Sequence, residues 1–331
     1  MRKSRAGALA IALTSAVCFG GAGPFAKPLI DGSSSVPGLG SLHAVWLRVA
    51  GAAVVLLPVV IRRGAEARRH LPLLLGYGLF PVAGAQTFYF LAITRLPVGV
   101  ALLIEYLGPV FVLTWTRFVV RRPVSRTAAL GAALSVSGMA CVVEIWSVGS
   151  GGGLDPLGLL FAVGAALCQA SYFLLSAHAG DDVDPVLVIA VGMLVAAVAL
   201  AFVSRAWTLP WGRLGDGFAV GTHGTLPGWV LLGYVSLVAT VIAYVTGVTA
   251  VRRLSPPIAS VVGTLEAVVA TVLAWVLLGE HLGPAQVAGG GVVLLGALVA
   301  QTSGVEPLPG ADAVAPHLAE CRVSDSQGAQ P

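Results

Sequence analysis

The sequence predicts an all-α integral membrane protein with ten transmembrane helices arranged as two inverted five-helix repeats. Three observations predict it. Of 331 residues, 57% are hydrophobic and only 10% are charged, against roughly 25% charged in ordinary soluble proteins. The apolar residues gather in blocks of about 20, the length that crosses about 30 Å of hydrocarbon. A glycine-rich stretch, Gly149–Gly153, divides those blocks five and five. So few charges cannot cover a water-facing surface, which excludes soluble enzymes, disordered chains and nucleic-acid modules.

The blocks run over 6–30, 41–61, 72–93, 97–119, 127–146, 156–177, 185–204, 227–249, 256–278 and 284–301. Seven begin at or near a proline: Pro72, Pro97, Pro156, Pro185, Pro227, Pro256 and Pro284. Proline suits a first helical turn, where its missing N–H had no partner. Backbone facing lipid must be helix or closed barrel, and runs this long without two-residue alternation select helix. The basic start Met1–Arg5 precedes an apolar run to about Ile30, too long for a cleaved signal, so it reads as a first span. The organisation is therefore an N-terminus over 1–5, a first repeat over 6–148, a linker over 149–155, a second repeat over 156–301, and a disordered cytoplasmic tail over 302–331.

Positive charge orients the bundle. With the N-terminus inside, the inner segments carry Arg2, Lys3 and Arg5; Arg62, Arg63, Arg68 and Arg69; Arg117, Arg121, Arg122 and Arg126; Arg252 and Arg253; and Arg322. The outer segments carry only Lys27, Arg95, Arg205 and Arg213. Both termini are thus predicted to lie in the cytoplasm. The abundance of Arg over Lys points to a GC-rich bacterial genome, hence to the bacterial cytoplasmic membrane. One loop dissents: 178–184 is predicted inside but carries Asp181, Asp182 and Asp184.

The two halves echo each other. Arg95-Leu96-Pro97-Val98-Gly99-Val100-Ala101 is similar to Arg253-Leu254-Ser255-Pro256-Pro257-Ile258-Ala259, and each opens the fourth span of its half. The match aligns Leu107 with Leu265. Because five is odd, the second half enters the membrane from the opposite side. Such inverted repeats can rock about a central site, which is a transporter's architecture.

The run Leu96–Val110, with its IEYLGPV core, together with Leu265-Glu266 and Leu278-Gly279-Glu280, resembles the EamA branch of the drug/metabolite transporter superfamily. Within it the chain resembles the threonine/homoserine exporter group, with Tyr106 where those exporters carry Phe. The first-half counterpart of Gly279-Glu280 is Arg121-Arg122, which departs from the family pattern. The resemblance implies ten helices and a central cavity lined mainly by spans 1–4 and 6–9. It implies a secondary transporter of small polar metabolites, an exporter of amino-acid-like compounds.

Ionisable groups at bilayer depth cost about 2.5–3.5 kcal/mol each on insertion scales, so they are read as functional. Arg48, Glu105, Glu144 and Glu266 qualify, with Glu144 near enough to its span end to reach the interface. Arg48 and Glu105 lie about 10 and 12 Å below the same boundary, which predicts that they pair. That pair is either a structural brace or part of the substrate site. Pro109 has no N–H for the Glu105 carbonyl, so Glu105 offers a carboxylate and a free backbone oxygen together, suited to an amine. Pro24 and Pro81 act likewise on Gly20 and Tyr77, placing all interior kinks in the first half. Glu266 is either a cavity carboxylate or a proton carrier. Tyr106, Gln86, Tyr89, Gln169, Tyr172 and Tyr244 are candidates to complete the lining, and Lys27 is expected to snorkel to the interface.

The substrate is thus predicted to be a small molecule, with proton coupling through Glu266 as one reading and a homodimer left open. No cofactor, metal or nucleic acid is expected. Cys18, Cys141, Cys168 and Cys321 have no metal-ligand spacing. The glycine run at 149–153 lacks the Lys and Ser/Thr of a phosphate loop. A lipid-modifying enzyme is the rival, and it would want Asp and His clustered near one membrane face; a non-transporting scaffold is the third reading. The orientation is checked by cysteine labelling. A cysteine in 206–226 reacts with an impermeant thiol reagent from outside and one in 62–70 does not; the opposite labelling overturns it.

Overall fold

The computed structural model describes residues 2–32, 36–121, 123–143, 154–179, 183–221, 224–253 and 256–302. The Gly149–Gly153 linker, Glu144 and the tail beyond Thr302 lie outside the described residues. The chain folds into a helical bundle: α1 Arg2–Gly20, α2 Ala22–Asp31, α3 Ser41–Arg62, α4 Gly64–Arg69, α5 Leu71–Tyr77, α6 Ala85–Ala92, α7 Val98–Glu105, α8 Gly108–Phe118, α9 Arg126–Val142, α10 Pro156–Ala179, α11 Pro185–Val203, α12 Gly228–Gly233, α13 Ala243–Arg253, α14 Pro256–Leu278 and α15 Pro284–Thr302.

Among the described residues, six stretches are long and apolar enough to cross a membrane: Leu9–Asp31, Ser41–Arg62, Leu71–Ala92, Val98–Phe118, Pro185–Val203 and Gly228–Gly247. Among the described residues, Arg126–Val142, Pro156–Tyr172, Leu265–Leu278 and Pro284–Ala300 are apolar but shorter. Side chains with little exposure face inward, while Val54, Ile61, Leu160, Val198 and Leu295 are exposed. That distribution suits a lipid-facing surface.

Packing between the halves is reciprocal. α9 lies along α15, and α3 along α11. α1 packs on α14 as α10 packs on α7 and α8; α1 also packs on α13 as α10 packs on α6. Exchanging each segment for its counterpart five places on reproduces the same set of neighbours. The α9–α15 seam shows why these sequences meet. A Cβ on Gly296 would lie 2.4 Å from the Ser135 N, and one on Gly131 would lie 2.4 Å from the Ala300 N. Bare glycine lets the backbones touch, and packing without side-chain bulk drives helix association in lipid.

Among the described residues, four long segments are interrupted. The first breaks at Gly21, between α1 and α2, three residues before Pro24. The third carries a π-helical stretch, Gly78–Gly84, with Pro81 inside it. The fourth breaks at Tyr106-Leu107, just before Pro109. The expectation that all such breaks belong to the first half is corrected by a second π-helix, Tyr234–Ile242, which contains no proline. Its cause is a side chain: the Thr240 hydroxyl donates to the Val235 carbonyl at 2.8 Å, five residues back, where the α-helical ladder would use four. The two π-helices occupy the third segment of each half.

Between α11 and α12 the chain forms short 3-10 turns and a hairpin of β1 Gly217–Ala219 and β2 Thr225–Pro227, with Phe218 opposite Leu226. Phe218 is fully buried over Leu29, Leu39, Leu47 and Leu231, so this connection closes one end of the bundle, here called the hairpin end. A test of the seam is Gly296→Val beside Gly291→Val, the latter having open space around it. The first lowers the melting temperature in detergent by several degrees, about 1–3 kcal/mol; the second changes it by less than about 0.5 kcal/mol.

Candidate functional site

The interior is organised around Arg48 of α3, which is 2% exposed. Its Nε donates to the Thr240 Oγ1 at 2.8 Å, its Nη1 to the Gln86 Oε1 at 2.6 Å and its Nη2 to the Ala239 carbonyl at 3.2 Å. The Phe90 ring lies 5.5 Å away, a cation–π distance. Thr240 and Ala239 belong to the second half's π-helix, and Gln86 follows the first half's. Gly51 allows α3 to press close to that second π-helix, since a Cβ there would lie 2.7 Å from the Ser236 hydroxyl.

The predicted Arg48–Glu105 pair is therefore not made. Helix rise gave the two residues the same depth, but their rotation about the helix axes turns the guanidinium toward Thr240. Glu105 stays within electrostatic reach of Arg48, as do Glu266, Tyr89 and Tyr244. Glu105 and Glu266 are within reach of each other, and Tyr106 is within reach of both. Neither carboxylate forms a hydrogen bond or ion pair with any described residue. Both keep partial solvent exposure while sharing the field of a wholly buried cation. Among the described residues, these two acids thus have no hydrogen-bond or ion-pair partner while sharing the field of Arg48.

The chain break beside Glu105 is complete. Pro109 brings no N–H to the Glu105 carbonyl, and the Val110 N–H turns to the Leu107 carbonyl at 2.9 Å. Gly108 lies against α10, where a Cβ would make ordinary contact with the Gln169 side chain at 3.5 Å. One turn further along α10, Tyr172 shares a hydrogen bond with Tyr77. The structure thus brings Arg48, Glu105, Tyr106 and Glu266 into one field, puts Gln86 on the guanidinium, and sets Gln169 and Tyr172 against neighbouring helices. Thr240 and Tyr77 were not anticipated. A threonine in an apolar run gives no local signal of a helix defect, whereas Tyr77 was visible as the residue four before Pro81.

Charged contacts at the bundle ends differ from expectation too. Lys27 does not snorkel; it pairs with Glu280. Arg95 pairs with Asp155 at 2.8 Å, and Arg63 with Asp184 at 2.6 Å. The Arg95 contact holds the Asp155 carboxyl below the usual carboxylate range. Asp184, whose loop broke the charge rule, thereby answers a base and also caps α11 by accepting from the Val186 N–H at 2.7 Å. Among the described residues no group of three His, Cys, Asp or Glu could hold a metal ion.

The model of the EamA-like transporter family matches residues 6–144 and again 156–302. The chain is 30% identical over 276 residues to the threonine/homoserine exporter RhtA of Escherichia coli (strain K12), covering 82% of this chain and 83% of that protein. It is 30% identical over 254 residues to the threonine/homoserine exporter RhtA of Salmonella typhimurium (strain SL1344), covering 75% of this chain and 78% of the other. A solved structure titled only "Crystal structure of protein" superposes with a TM-score of 0.56 at 19% identity, covering 90% of this chain and 97% of that one, a likeness of fold.

The Arg48 clamp is testable without a flux assay. Thr240→Val removes an acceptor from a buried cation at nearly constant volume and costs about 1–2 kcal/mol of stability. Thr240→Ser restores most of it, read as a melting temperature in detergent. Glu105→Gln leaves that temperature unchanged, because no described cation depends on the carboxylate.

Proposed function

Because the chain belongs to the EamA-like transporter family, we propose that it is a secondary transporter exporting amino-acid-like metabolites by alternating access. The relatives named as threonine/homoserine exporters support that class of cargo. In this reading the bundle is ten membrane-spanning helices in two inverted repeats of five, set in the bacterial cytoplasmic membrane. Both termini lie in the cytoplasm and the hairpin end faces outward. The reciprocal packing of the two halves and the twofold family match support the repeat.

The observation that carries the proposal is the pair of carboxylates that have no hydrogen-bond or ion-pair partner among the described residues. Glu105 and Glu266 would receive the ammonium of an amino acid. The uncompensated charge of Arg48 would set a positive field for the cargo's carboxylate, without its guanidinium leaving Gln86 and Thr240. The free Glu105 carbonyl adds a second acceptor at the break, and the polar backbone there suits a water-filled cavity. Tyr106, Gln169 and Tyr172 would shape the walls. Exchange of the ammonium for a proton on Glu105 or Glu266 would couple export to the proton gradient.

Flux of radiolabelled amino acids into everted vesicles tests this. Glu105→Gln and Glu266→Gln should each lower flux at least about tenfold, the loss of one charge-assisted contact of about 1.5–3 kcal/mol, while the protein remains inserted and melts as the wild type does. Wild-type flux in a well-folded double variant would remove the carboxylates from the site.

A further inference from the structure

The three ion pairs among the described residues share a plan. Each takes its base from the first repeat and its acid from later in the chain, Asp155 from the end of the linker and Asp184 and Glu280 from the second repeat, and each acid also accepts from the first turn of a helix. Asp155 accepts from the Leu157 N–H at 2.9 Å, Asp184 from the Val186 N–H at 2.7 Å, and Glu280 from the Val98 N–H at 2.8 Å. Lys27–Glu280 stands apart in two ways. Its side chains are the least exposed of the three, at 21% and 16%. It also ties down two half-helices. Lys27 rides on α2, which is separated from α1 by the break at Gly21, and Glu280 holds the first residue of α7, which is separated from α8 by the break at Tyr106-Leu107.

The half-helices also touch each other. A Cβ on Gly23 of α2 would lie 2.5 Å from the Val98 side chain and 2.4 Å from the Tyr89 hydroxyl. One on Gly99 of α7 would lie 2.7 Å from the Thr271 hydroxyl and 3.5 Å from the Leu282 side chain. Asp31, one turn beyond Lys27, is within electrostatic reach of both Lys27 and Glu280. Glu105 ends α7, seven residues below the contact, about 10 Å by helix rise. The half-helix α7 therefore runs from Glu105 to the contact with α2 and Glu280.

We propose that Lys27, Glu280 and the Val98 N–H form the latch of an outer gate, whose leaves are the half-helices α2 and α7. Opening breaks the contact and swings each leaf on its own break, at Gly21 and at Tyr106-Leu107; closing remakes it. Lys27 and Glu280 are positioning residues, remote from the cargo. The proposal rests on the transporter reading above, and its test separates the two.

In protein with Cys18, Cys141 and Cys321 replaced by alanine, Cys168 of α10, which lies within electrostatic reach of Glu105, serves as the reporter. An impermeant methanethiosulfonate is added from outside. Glu280→Gln and Lys27→Met should raise the rate of Cys168 modification at least about fivefold over the parent. An unchanged rate overturns the latch. In a protein lacking all native cysteines, Lys27→Cys with Glu280→Cys is bridged by a bifunctional ethane-linked methanethiosulfonate. Bridging should cut flux at least about tenfold and reduction should restore it, whereas flux unaffected by bridging overturns the gate. If the reduced pair is already inactive, the labelling rates decide alone. Absence of flux in the parent protein counts against transport, and the labelling rates still read the latch.

Discussion

The bundle depends on one buried guanidinium whose hydrogen bonds reach both halves. Arg48 reaches a side chain of the first half, Gln86, and a hydroxyl and a carbonyl of the second, Thr240 and Ala239. Burying a charge without an opposite charge is costly, and it is tolerated when hydrogen bonds take up the donors. Three acceptors and a ring face do so here. The choice of neutral acceptors has a consequence for chemistry. A salt bridge to Glu105 would have neutralised the cation and occupied the carboxylate, and cargo would then have to break it. Instead the cation's field reaches both acids, and neither has a hydrogen-bond or ion-pair partner among the described residues.

The π-helices explain how that clamp is assembled. A π-turn leaves backbone groups out of the ordinary ladder and bulges the helix, which brings the Ala239 carbonyl and the Thr240 hydroxyl out toward α3. Each half's second segment meets the other half's π-helix through a glycine: Gly51 against Ser236, and Gly192 against Tyr77 and Val82. The two contacts are counterparts under the exchange of halves. In one half proline makes the defect, in the other a threonine hydroxyl, so the same shape arises from different residues.

What could be read from the sequence follows from what is local. Hydropathy and prolines at first turns are local, and they locate Pro156, Pro185 and Pro284 at the starts of α10, α11 and α15. The resemblance carried by the IEYLGPV run, by Leu265-Glu266 and by Gly279-Glu280 led to the family that comparison shows. Glu105 and Glu266 were picked out by the cost of a charge at that depth. Partner choice is not local. Depth follows from counting residues, but facing depends on rotation about the axis and on crossing angles, so Arg48 was assigned to Glu105 and not to Thr240. Lys27 was considered alone and sent to the interface, because its partner lies 253 positions away in the chain.

The placement of the charged contacts follows from the same inverted geometry. Reversing one half sets helix starts of the second repeat beside helix ends and loops of the first. An acid that caps such a start is stabilised by the helix dipole, and it then meets whatever base the neighbouring loop offers. Asp184 satisfies both conditions with α11 and Arg63, and Asp155 satisfies them with α10 and Arg95. At Glu280 the helix is α7 of the opposite repeat, so one carboxylate caps one half from the other and pairs with Lys27 as well. Each exposed surface pair contributes little. The Glu280 contact is more enclosed, and its two partners sit on helices already broken from their continuations. It therefore joins the repeats through two half-helices, α2 and α7.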